Sequence, residues 1–219
     1  MTEWGPRAHA TLEVSGLRRS FGDREVLAGV SLRAETGTVT SVVGANGSGK
    51  TTLLRTIGGS LDAAEGKVAI GEAPPGRGWA TFVPAGDRML NWRLTVAQNL
   101  AFFARLAGFA GDERVARIRG AADALGTEAL LNRPVGECST GQRRRIMLSV
   151  GFLPGAPVVL LDEPFADLDD DARAIVNGVC VSWARSGGTI VYATPSEGDG
   201  PVADTTLYLV GGRIQESAA

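Results

Sequence analysis

Residues 44–52 read GANGSGKTT. They follow the apolar, β-branched run VTSVV at 39–43 and pass into the helix-like TTLLRTIGG at 51–59. Strand, glycine-rich loop and helix is the order in which Gly44, Gly49, Lys50 and Thr51 satisfy the spacing G-x-x-x-x-G-K-[ST]. Glycines let successive backbone N–H groups turn inward around phosphate oxygens. The helix that follows adds its positive N-terminal end. Lys50 is expected to neutralise β- and γ-phosphates, and the Thr51 hydroxyl to ligate Mg2+. The whole stretch, Gly44, Ala45, Asn46, Gly47, Ser48, Gly49, Lys50, Thr51 and Thr52, is therefore a candidate ATP phosphate cradle. A glycine turn that holds no ligand is the competing reading, and the strand before and helix after argue against it.

Further along, VVLLDEP at 158–164 puts Asp162 at the end of a buried strand with Glu163 beside it. An aspartate there holds Mg2+ through water, and a neighbouring glutamate polarises an attacking water. Taken alone, the pair reads equally well as two solvated acids at a strand end. Coupled to the phosphate loop, Asp162 becomes a second metal candidate beside Thr51, and Glu163 the catalytic candidate.

The rest of the chain supplies a frame. TLEV (11–14) and SLRA (31–34) read as short strands around a glycine-rich turn, and GKVAI (66–70) and WATFV (79–83) as strands separated by the turn-rich EAPPGRG. Helical patterns follow at 94–108 and 111–126, and a third from Ser139 to about Phe152. VVLLD (158–162) and TIVYA (189–193) are continuous apolar runs of the kind buried on both faces of a parallel sheet. Residues 169–186 read as helix, and TTLYLV-GG-RIQE (205–216) as a closing hairpin. The expected fold class is α/β: a P-loop NTPase core with parallel-sheet strands, an N-terminal antiparallel β portion and an inserted α-helical lobe. One domain, 1–219, is expected, with 10–86 and 151–219 forming the nucleotide-binding core and 87–150 the lobe.

Bulk properties narrow the function. With 219 residues and 44% apolar content the chain is long enough to bury a core. Its 22 basic and 24 acidic residues leave a net charge of −2, so neither nucleic acid nor an anionic membrane surface is an expected partner. Two distant cysteines, Cys138 and Cys180, point to a reducing compartment without a disulfide framework. MTEWGPRAHA lacks the layout of a signal peptide. Apolar stretches are too broken to span a bilayer, so any membrane service is expected from the side.

Residues 138–142 read CSTGQ and are followed by RRRIMLSV. With the phosphate loop before it and LLDEPFADLD after it, this stretch resembles the ATPase subunit of ABC transporters, whose signature is Leu-Ser-Gly-Gly-Gln. Ser139, Gly141 and Gln142 match it, while Cys138 and Thr140 depart. The resemblance implies that ATP lies between one subunit's phosphate loop and the signature of a second subunit, in a head-to-tail dimer. It also implies adenine stacking on Phe21 and communication across the dimer by Asp169. Local readings compete: Ser139 and Gln142 form an S-x-x-Q capping box, Asp169 a helix N-cap, and Phe21 a surface aromatic. RRR (143–145) reads by default as a solvated helix face, with no function assigned.

Two family positions do not match. The family carries a glutamine after the strand ending Val-Pro, where it contacts Mg2+ and couples to the membrane subunit. TFVPAGDR puts Ala85 there, and Gln98 lies too far into a helical pattern to replace it. The family also follows the later strand with Thr-His, but VYATPSE puts Pro195 after Thr194, and His9 is the chain's one histidine. Ser196 and Glu197 stand nearby without a cationic donor. Losing two groups that act on the γ-phosphate is expected to slow turnover by about 10²–10³.

The expected function is the ATP-binding subunit of a membrane transporter, working in export, with ATP and Mg2+. Its expected partners are a transmembrane permease subunit and a second ATPase subunit, and its expected location is the inner face of the cell membrane. Small exporter ATPases, including the haem exporter of cytochrome c maturation, carry similar wording around DEPF. A second reading is a degenerate ATP-binding switch subunit paired with an active ATPase. A third, a soluble relative in DNA repair or translation, lacks the expected coiled coil, second cassette or basic patch. FFARLAGF (102–109) is a candidate permease contact, with packing inside the lobe as its competitor.

Overall fold

The computed structural model describes residues 4–71, 78–198, 200 and 203–216. The EAPPGRG turn lies largely outside the described residues. Three strands, β1 (Leu12–Phe21), β2 (Arg24–Ala34) and β4 (Glu65–Ile70), form an antiparallel sheet in the order β2-β1-β4. A second sheet runs β5-β6-β7-β3-β8-β9. It is built from β5 (Ala80–Val83), β6 (Val158–Asp162), β7 (Thr189–Thr194), β3 (Val39–Val43), β8 (Thr205–Val210) and β9 (Arg213–Glu216). Its first five strands are parallel and β9 closes it antiparallel through the expected hairpin. The helices are α1 (Lys50–Ile57), α2 (Val96–Leu106), α3 (Gly111–Ala124), α4 (Thr140–Phe152) and α5 (Asp170–Arg185). This is the expected α/β class.

β1 and β2 differ from expectation in length. They run ten and eleven residues, because the turn sits at Gly22–Asp23 rather than after Val14. The register slips between Val14 and Leu17, between Leu17 and Arg18 and between Arg19 and Ser20, and such irregularities hide the alternation that reveals a strand.

Alternation along the central strands explains why they read as unbroken apolar runs. Val158 and Leu160 face one layer, with Leu53, Leu54 and Ile57 of α1 and Leu17, Leu27 and Val30 of the antiparallel sheet. Val159 and Leu161 face the other, with Leu100, Ile146, Phe152, Val176 and Trp183 of the remaining helices. Both faces are covered, so every position of β6 is buried. Full burial of each leucine contributes about 1.5–3 kcal/mol.

Helix α4 is buried from Ile146 to Phe152 without a break, so its apolar face shows no stripe. The arm before β1 crosses this layer. Trp4 packs edge-on against Trp183 of α5 at 5.4 Å between ring centroids and lies 6.3 Å from Phe152 of α4. Arg117 of α3 donates to the Gly5 carbonyl at 3.1 Å, and the Arg7 amide donates to Gly155 at 2.8 Å.

Candidate nucleotide site

The C-terminal ends of β3, β6 and β7 meet at one edge of the parallel sheet, and the phosphate loop rises from the first of them. Gly49 caps α1 with φ 106°, a conformation open to glycine and strained for any other residue. At Gly44 the demand is space: a Cβ there would come within 2.7 Å of the Leu209 carbonyl and of Ser48 Oγ. Lys50 is 5% exposed. Its ammonium donates to the Gly44 and Ala45 carbonyls at 2.5 and 3.1 Å. Burial pulls its pKa below the usual lysine value, while Glu163 and Asp162 act the other way.

Asp162 and Thr51 meet as expected. Thr51 Oγ1 donates to Asp162 Oδ2 at 2.7 Å. Asp162 Oδ1 is buried and, among the described residues, has no hydrogen-bond partner. A buried carboxylate oxygen left without a donor, beside a hydroxyl, is an oxygen set suited to Mg2+. Glu163 follows with φ 47°, an unusual backbone for a residue with a side chain, and is half-buried. It shares a cavity of about 390 Å3 with Phe21, Arg24, Asn46, Lys50 and Thr51. Gly47, Gly49 and Thr52 complete the loop's share of that lining. Phe21 is exposed, with the Arg19 guanidinium over its ring at 5.0 Å. Arg24, not singled out from the sequence, reaches the Gly47 carbonyl at 3.4 Å from the β1–β2 turn. A basic residue three positions after the aromatic was the available signal.

The signature residues stand elsewhere. Ser139, Gly141, Gln142 and Asp169 do not line this cavity. Ser139 Oγ accepts the Gln142 amide at 3.2 Å, and Gln142 Oε1 accepts the Ser139 amide at 2.9 Å, so the capping box is real. A Cβ at Gly141 would lie 3.1 Å from the Asp167 carbonyl, so the start of α4 rests on the loop after β6. Asp169 caps α5 by accepting the Ala172 amide at 2.9 Å.

Of the mismatched positions, Ala85 is exposed between Pro84 and Gly86. Gln98 is committed to a capping box with Thr95 at the start of α2. Glu197 accepts the Tyr208 hydroxyl at 2.7 Å. His9 packs over Gly187, before β7 begins, at the end of the sheet away from the phosphate loop.

The solvated reading of RRR is overturned. Arg144 is 3% exposed. Its Nη1 donates to Pro84 and Gly86 carbonyls at 2.7 and 3.2 Å, and its Nη2 to Asp162 and Glu163 carbonyls at 2.6 and 2.9 Å. Burial lowers its pKa to about 10, so it stays charged at neutral pH. Arg143 pairs with Asp87 at 2.6 Å and stacks over Trp92, and Arg145 donates to the Leu125 and Gly126 carbonyls. All three are occupied because α4 is enclosed by its neighbours. Arg144 also lies on the helical face of Met147, Leu148 and Gly151, a spacing visible in the sequence.

Comparison with known proteins places the chain in a family. The family model described as ABC transporter matches residues 27–166. The chain is 32% identical over 218 residues to the lactose transport ATP-binding protein LacK of Rhizobium radiobacter, covering 96% of this chain and 60% of LacK's length. It is 36% identical over 203 residues to the cytochrome c biogenesis ATP-binding export protein CcmA of Maricaulis maris, covering 88% of this chain and 89% of that one. Among solved structures, cbiO1 from Clostridium perfringens, part of the complex cbiONQ, superposes with TM-score 0.82 at 25% identity, covering 95% and 88% of the two chains.

Proposed function

The chain belongs to the ABC transporter family as an ATP-binding cassette, and on that premise we propose that it binds and hydrolyses ATP to drive a transmembrane partner. One observation carries this reading: Asp162 bonds Thr51 with one oxygen and keeps the other buried and unpartnered, beside Lys50 and Glu163. Lys50 exchanges its two loop carbonyls for phosphate oxygens, assisted by the loop amides and the start of α1. Thr51 and Asp162 would hold Mg2+, which would supply neutralisation of phosphate charge there. Phe21 offers its ring to adenine. Glu163 orients a water and takes its proton as that water attacks the γ-phosphorus.

Ser139, Gly141 and Gln142 act on the cavity of a second cassette, with Ser139 exposed at the start of α4 in this one. Asp169 lies on that same approach. The permease docks on the groove of about 510 Å3 lined by Trp79, Phe82, Met89, Phe103 and Leu106. Phe102 and Leu106, 58% and 72% exposed, extend that surface, while Ala104 and Phe109 are buried inside the helical layer. The chain then sits on the inner face of a membrane, and no described helix is long and apolar enough to cross it. Residues 87–150 act as the lobe and 10–86 with 151–219 as the core. Export is the direction favoured, on the near full-length match to a protein described as an export subunit.

A second reading, a switch subunit that binds ATP and leaves hydrolysis to a partner, is favoured by Ala85 and Pro195. Mg-ATP turnover of wild type beside Glu163→Gln separates the two. Turnover that falls at least about 10²-fold in the variant supports the enzyme. ATP binding with no turnover in either protein supports the switch.

A further inference from the structure

Arg144 is a cation taken out of water that, among the described residues, forms no salt bridge, although the carboxylates of Asp162, Glu163, Asp167 and Asp87 favour its charge through space. Burying such a charge is costly, and apolar side chains would pack α4 more cheaply. Among the described residues its four hydrogen bonds all go to main-chain carbonyls, and they divide by nitrogen: Nη1 holds Pro84 and Gly86 after β5, and Nη2 holds Asp162, the last residue of β6, and Glu163 after it. Nε is buried and, among the described residues, unpartnered, so the guanidinium is spent on joining these two loops. Residue 85 is an exposed alanine, and the loop at 84–86 is bound to the site through its carbonyls.

Glu163 gives this tie a chemical meaning. Its φ of 47° persists only where neighbours over-determine it. Its amide is held by the Ala193 carbonyl at 2.9 Å, and its own carbonyl by Arg144. Those two bonds hold the peptide groups on either side of Glu163 and so fix the direction in which its side chain leaves the main chain.

We propose that Arg144 is a positioning residue that locks the loop 84–86 to the Asp162–Glu163 corner, so that the two respond to nucleotide as one body. The nucleotide part rests on the ATP reading above. The lock itself does not.

Backbone hydrogen exchange on the full chain tests it, alone and with Mg2+ and a non-hydrolysable ATP analogue. In Arg144→Gln, exchange without nucleotide should rise about tenfold over 84–88 and 162–168 together, with 39–52 unchanged. With the analogue, wild type should gain protection over 44–52, 84–88 and 162–168. The variant should keep it over 44–52 and lose it over 84–88. Turnover should fall about tenfold or more with KM for ATP little changed, the split expected of a displaced Glu163. Arg144→Lys keeps the charge but has one nitrogen for two loops, so it should also lose the response at 84–88, which covers a Gln variant that does not fold. A segment 84–88 that still responds as in wild type would overturn the proposal. Absence of protection over 44–52 in wild type would refute the ATP reading, and the nucleotide-free exchange would then decide the lock.

Discussion

Asp162 accepts the Thr51 hydroxyl with one oxygen and keeps the other buried and, among the described residues, without a hydrogen-bond partner, and replacing one of them separates the roles. Asp162→Asn keeps an acceptor for Thr51 and loses the anionic charge. We expect the Mg2+ needed for half-maximal turnover to rise about tenfold or more, while ATP binding without metal stays close to wild type. A magnesium titration of turnover checks this. Residues of this kind were legible, since loop glycines, Lys50, Thr51 and the Asp-Glu pair declare their chemistry by spacing. Arg144 was not, because three arginines in a row look alike until packing assigns each one. Its burial depends on the loops after β5 and β6, which lie 60 and 18 residues away in sequence.

At the level of elements, two capping boxes offer a matched comparison. Thr95 with Gln98 starts α2, and Ser139 with Gln142 starts α4. Thr95→Ala and Ser139→Ala should each cost about 1 kcal/mol, read as similar falls in the denaturation midpoint. Only Ser139→Ala should also weaken ATP-driven association of two chains, measured by light scattering with Glu163→Gln as background. Equal association in both variants would confine Ser139 to its cap. The central strands and both hairpin strands at 205–216 were readable because β-branched runs and a Gly-Gly turn mark them plainly. The true span of β1 and β2 was not. Gly16, at φ 59°, sits where the register slips and breaks the alternation on which strand recognition depends.

Across the whole molecule, the parallel sheet is covered on both faces, and Trp183 lies where α4, α5 and the N-terminal arm converge. Trp183→Ala should remove about 3–5 kcal/mol of stability, seen as an earlier unfolding transition in guanidinium chloride, with the nucleotide affinity of the remaining folded protein preserved. The same convergence has an optical consequence. Trp4 and Trp183, two of the chain's four tryptophans, meet edge-on at centroids 5.4 Å apart. Indoles that close share their excited states. The arm therefore carries its own spectroscopic signature, a paired near-ultraviolet dichroism band that vanishes when the arm lifts. The seating of this segment on α3 and α5 is observable in unlabelled protein, in real time, as nucleotide or a partner is added.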